Sequence, residues 1–63
     1  MPIVQIHLIE GRDDDKKEKL VKNVTDAISN SLEVDPQNVR IILSEMSPNH
    51  YAIAGQTVKN KKK

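Results

Sequence analysis

Sixty-three residues with a formal net charge of +1 make one small domain, and a chain this short buries only about 60% of the surface its unfolded form exposes, so a lone monomer is marginal. The absence of cysteine excludes disulfides and thiolate metal sites, and His7 and His50 lack any short ligand spacing, so neither a metal nor another cofactor is expected. Tyr51 is the single aromatic residue, no run approaches a membrane span and no leader-like segment is visible, so neither nucleic acid nor membrane is an expected partner and cytoplasm is the expected compartment.

Residues 3–9 alternate as a strand, with Val4, Ile6 and Leu8 on one face and Ile3, Gln5, His7 and Ile9 on the other. The first face is wholly apolar and predicts a helix layer over it. Glu10-Gly11-Arg12 breaks the alternation. Asp13-Asp14-Asp15 then supplies an N-cap and first-turn carboxylates, with capping-box spacing between Asp15 and Glu18. This run reads as helix-start chemistry rather than a cation site, because it offers too few convergent ligands. Leu20, Val21, Val24, Ala27, Ile28, Ser31 and Leu32 form one narrow stripe on a helix of about five turns.

Asp35-Pro36 is an N-cap with proline at the first helical position, which predicts a single turn before the next strand. That strand runs from Val39 to Glu45, with Val39, Ile41 and Leu43 facing one way and Arg40, Ile42 and Ser44 the other. A strand, a long helix and a second strand predict a right-handed parallel crossover. Ser47-Pro48-Asn49 turns the chain, and Tyr51 to Ala54 reads as a short strand before Gly55. Residues 1–58 form the domain, with six basic against nine acidic groups, net −3, while residues 59–63 read as a Lys-rich mobile tail. Two parallel strands and one helix leave both sheet edges open and one sheet face bare, with Ile3, Ile9 and Ile42 on it, so the fold is expected to be completed by oligomerisation.

Two features carry chemistry. Pro2 is either an ordinary strand start or, once Met1 is removed, a free secondary amine that can act as a base. Arg12 and Arg40 are the only arginines beside eight lysines. They are either surface residues or forks that grip carboxylates bidentately, and Arg40 shares its strand face with apolar Ile42. His7 and His50 read as structural or surface groups, since no nucleophile or carboxylate is spaced to pair with them.

Pro2, Leu8-Ile9-Glu10-Gly11-Arg12, Val39-Arg40-Ile41-Ile42, Glu45-Met46 and Asn49-His50-Tyr51-Ala52-Ile53-Ala54-Gly55 together resemble the small 4-oxalocrotonate tautomerases of the tautomerase superfamily. The resemblance covers nearly the whole chain except the Lys-rich tail. It implies an α/β tautomerase fold, a βαβ unit with a short C-terminal hairpin, assembled as a homohexamer, a trimer of dimers. It further implies a cofactor-independent isomerase of the kind used in aromatic degradation, acting on a carboxylate or dicarboxylate enol such as 2-hydroxymuconate. By the same resemblance Pro2 is the general base. Arg40 binds the carboxylate and keto oxygen at the reacting end, Arg12 binds the distal carboxylate, and Leu8, Ile9 and Tyr51 shape the pocket. The arginines come from neighbouring subunits. Tyr51, Ala52 and Ala54 stand where the family usually has Phe and glycines, which bears on pocket polarity. Two other readings remain: a hydratase-dehalogenase or decarboxylase of the same superfamily, and a catalytically idle oligomeric scaffold tethered through its Lys tail.

Overall fold

Strands β1 (Ile3–Ile9) and β2 (Arg40–Met46) lie side by side in parallel, and the computed structural model that shows them describes residues 1–61. Helix α1 (Asp14–Leu32) and a 3-10 turn at Pro36–Asn38 make the crossover. A second 3-10 turn at Pro48–His50 leads to an antiparallel hairpin, β3 (Ala52–Ile53) and β4 (Gln56–Thr57), and then to α2 (Val58–Lys61). This is the expected βαβ unit with a C-terminal hairpin. Residues 59–61 of the expected mobile tail lie on α2, and residues 62 and 63 lie outside the described residues.

Strand β1 has the expected bounds, whereas β2 starts and ends one residue later than Val39 to Glu45. Val39 is taken by the preceding turn, its N–H bonded to the Pro36 carbonyl at 3.1 Å, and the far end is held by the Glu10 N–H on the Met46 carbonyl at 2.9 Å. The helix cap is Asp13, not Asp15: its carboxylate accepts from the Lys16 N–H at 2.9 Å. Any of the three aspartates suits a cap. The first one after the turn at Gly11 takes the role, because its extended backbone directs the side chain at the helix N-terminus.

The helix stripe is also rotated from expectation. Leu20, Val21, Val24 and Ile28 are half-buried, but Ala27, Ser31 and Leu32 are exposed, and Lys17, Thr25 and Ser29 are half-buried instead. Two strands about 4.8 Å apart make a sheet narrower than a helix about 10 Å across, so part of the apolar stripe stays uncovered. Glu33 ends the helix in the left-handed region, φ 57°, and the Val34 N–H closes the cap on the Ser29 carbonyl at 3.1 Å. In the hairpin, Ala54 (φ 54°) and Gly55 (φ 83°) make a two-residue turn with both residues at positive φ, which suits the twist of the strands. The expected strand from Tyr51 to Ala54 is therefore only Ala52–Ile53, because Ala54 belongs to the turn.

Val4, Ile6, Leu8, Ile41 and Leu43 are half-buried on the helix-covered face, while Ile3, Gln5, His7, Arg40, Ile42 and Ser44 are exposed on the other. Among the described residues no side chain is fully buried, and Ile3 and Ile42 keep 65% and 49% of their surface. The accessible area is 5070 Å², against about 4,100 Å² for a compact chain of this mass. The radius of gyration is 14.8 Å, against about 10.6 Å for a globule of this length. Taken alone, the folded chain has a layer but no closed core.

Candidate active site

At the start of the sheet, Pro2 and Arg40 come together through the backbone. The Arg40 N–H donates to the Pro2 carbonyl at 3.0 Å, and Ile3 is in register with Arg40. Proline costs little here, since its missing donor falls before the ladder begins. Pro2 is half-buried, and the Arg40 side chain is exposed on the bare face, with Nη1 donating to the Gln37 carbonyl at 2.5 Å.

Arg12 lies at the opposite end. Gly11 turns the chain out of β1 with φ 128°, a conformation open to glycine and not to other residues without strain. Arg12 then folds back, Nη1 donating to the Ile9 carbonyl at 3.0 Å. Along β1, at about 3.3 Å per residue, the two ends of the sheet are about 20 Å apart. A small molecule held at Pro2 and Arg40 is beyond reach of Arg12 in the same chain.

Neither arginine pairs with a carboxylate among the described residues. The ion pairs there are all formed by lysines: Lys17 with Asp14 and Glu45, and Lys22 with Asp26. Two guanidiniums left unpaired in an acidic body retain fork donors suited to an incoming carboxylate.

Beside Arg12, a cleft of about 290 Å³ is lined by His7, Ile9, Met46 and Tyr51. Ile9 and Tyr51 are thus brought together at one cleft. The Leu8 side chain is not, because strand alternation sends it under the helix, leaving only its backbone on this side. His7 and Met46 were not anticipated in this cleft. The alternation of β1 and β2 places both on the Ile9 side, but which residue folds back over that face depends on the turn at Pro48–His50.

A larger groove of about 420 Å³ lies on the helix side, lined by Asp14, Lys17, Glu18, Val21, Leu43 and Glu45. It holds neither Pro2 nor an arginine and marks a gap in the helix cover. Across it the Lys17 ammonium lies 3.0 Å from the Glu45 carboxylate. That hydrogen bond raises the Lys17 pKa above its ordinary 10.5, with partial burial opposing and the Glu45 and Asp14 charges reinforcing the shift.

The family model described as Tautomerase enzyme matches residues 2–61. A 2-hydroxymuconate tautomerase of Stutzerimonas stutzeri is 48% identical over 59 residues, 94% of each chain. Among solved structures, a 4-oxalocrotonate tautomerase isozyme of Methylibium petroleiphilum superposes with a TM-score of 0.94 at 38% identity, covering 97% of this chain and 95% of that one. A heterohexamer 4-oxalocrotonate tautomerase of Chloroflexus aurantiacus gives a TM-score of 0.89 at 27% identity, covering 94% and 95%. The chain belongs to the tautomerase family, enzymes of the isomerase class, and takes the 4-oxalocrotonate tautomerase fold.

Proposed function

We propose that the protein converts a 2-hydroxy-dienoate bearing a second carboxylate, such as 2-hydroxymuconate, into its conjugated ketone, with Pro2 as general base in a site shared between copies of the chain. After removal of Met1, the Pro2 nitrogen is a secondary amine. It takes the proton of the dienol hydroxyl, the electron pair moves through the diene, and the ammonium returns the proton to carbon. An ordinary α-amino group titrates near about 7.7 to 8.0 and is mostly protonated at neutral pH. Apolar surroundings and nearby guanidiniums lower that value toward the operating range of a useful base. Arg40 of a neighbouring copy meets the carboxylate and the oxygen on which negative charge develops, a role typically worth about 3 kcal/mol by analogy with oxyanion-hole donors.

Arg12 of another copy grips the distal carboxylate, with Ile9, Tyr51 and the backbone at Leu8 as the pocket wall. Copies whose sheets run in opposite directions bring the Arg12 end of one to the Pro2 end of the next, and the exposed Ile3, Ile42 and Ile53 supply apolar surface for that contact. A homohexamer, a trimer of dimers, closes every such face. The cleft beside Arg12 offers His7, Ile9, Met46 and Tyr51 but no carboxylate for water activation, which favours proton transfer over hydration.

The observation that carries this reading is the placement of Pro2 with Arg40 at one end of the sheet and, at the other, Arg12 bonded to the carbonyl of the cleft residue Ile9, with neither guanidinium paired to a carboxylate among the described residues. Stopped-flow ketonisation of 2-hydroxymuconate by Met1-free protein tests it. Pro2→Ala lowers kcat by about 10² to 10⁴. An undiminished rate in that variant removes Pro2 as the base.

A further inference from the structure

We propose that the Lys17–Glu45 ion pair positions Arg12, by locking the first turn of α1 to the end of β2 and so fixing where the guanidinium is presented. The inference rests on the reading of Arg12 as the group that takes the distal carboxylate. Arg12 sits in a four-residue connection, Glu10 to Asp13, whose entry is pinned by the Glu10 N–H on the Met46 carbonyl at 2.9 Å. Its exit is the capped start of α1, where Asp13 accepts from Lys16 and the Lys17 N–H meets the Asp13 carbonyl at 3.2 Å. Between these anchors Gly11 has no heavy atom other than its chain neighbours within 4 Å of the position a Cβ would take, so nothing packs against the connection at Gly11.

The Arg12 guanidinium rests on the Ile9 carbonyl at 3.0 Å, and the angle of α1 over the sheet sets where the Arg12 backbone stands relative to that anchor, at an end where a groove interrupts the apolar contact. The groove of about 420 Å³ separates the first turns of α1 from Leu43 and Glu45. Lys17 spans it, with side-chain exposures of 24% for Lys17 and 33% for Glu45, and theirs is the one side-chain ion pair joining two elements among the described residues. Partial burial shields it from solvent screening, unlike the exposed Lys22–Asp26 pair within α1. Asp14, 3.6 Å from Lys17 and itself 93% exposed, is a weaker competitor. Small displacements of a substrate-positioning group cost large factors in turnover or binding, so a tether here acts on the Arg12 contact before it acts on the chemistry at Pro2.

Two substrates separate this role from a general loss of structure: 2-hydroxymuconate, with two carboxylates, and 2-hydroxypenta-2,4-dienoate, with one. In Met1-free protein of unchanged oligomeric mass, Lys17→Met and Glu45→Gln raise KM for the dicarboxylate about tenfold, with kcat and the monocarboxylate KM held within about twofold. The charge-swapped double variant, Lys17→Glu with Glu45→Lys, restores the dicarboxylate KM. An unchanged dicarboxylate KM, an equal loss for both substrates, or failure of the swap overturns the positioning role. Arg12→Ala is the reference: an unchanged dicarboxylate KM there removes the Arg12 reading itself. A raised KM in Arg12→Ala with none in Lys17→Met removes the tether alone.

Discussion

Lys17 shows how a single residue carries information that composition hides. Its pKa lies above the ordinary 10.5 because Glu45 stabilises the charged form. A group whose pKa is raised on folding contributes stability that is fully present below the unfolded pKa and is lost as pH rises through the folded value. Between about pH 6 and pH 10 the urea-unfolding midpoints of parent and Lys17→Met should therefore differ by a constant amount, and they should converge above that range; parallel curves to about pH 12 contradict this. Sequence pattern could not show this pair, since it depends on how the helix sits over the sheet. The same limit bears on the proposed site residues. Pro2, Arg12, Arg40, Ile9 and Tyr51 are proposed from the resemblance in residue type and order, and alternation gives the face each strand residue occupies. His7 and Met46 join Tyr51 only because of the turn at Pro48–His50, and Leu8 leaves the cleft because its neighbour Ile9 occupies that face.

At the level of elements, alternation was enough to delimit β1, where every second residue is half-buried. Ends governed by competing local bonds were less legible. Three consecutive aspartates could each cap α1, and Val39 could belong to the strand or to the turn that claims its N–H. The C-terminal end of α1 contains a local conflict of its own. Glu33 holds a left-handed conformation that costs a side-chain-bearing residue about 1–2 kcal/mol, and it places a negative charge at the negative end of the helix dipole, with no basic residue in the last turn. Glu33→Gly is expected to stabilise the protein by about 1 kcal/mol, since glycine adopts this cap without strain. Urea denaturation at fixed chain concentration checks it, because the proposed assembly makes the midpoint concentration-dependent. A lower midpoint in the variant contradicts the assignment of strain to this cap.

The whole molecule is defined by what one chain lacks. Its area and radius of gyration exceed those of a compact chain, no described side chain is buried, and isoleucines stand exposed on the bare sheet face. The incomplete monomer was legible from the count of strands and helices, because two strands cannot cover both their edges and both their faces. How copies are arranged was not, since period and composition describe one chain's faces and say nothing of which meets which. The separation of Pro2 and Arg40 from Arg12 gives that question a chemical form: on the proposed reading, one chain holds two half-sites at opposite ends of one sheet. Mixing two defective variants tests it most directly. Met1-free Pro2→Ala and Arg12→Ala chains are unfolded together, refolded at equal amounts and assayed with 2-hydroxymuconate below KM. If each site draws Pro2 and Arg12 from different copies, about a quarter of the sites in random assemblies hold both intact residues, and activity rises well above that of either parent. If the mixture is no more active than the average of the separately refolded parents, the site is not shared between copies and the account fails.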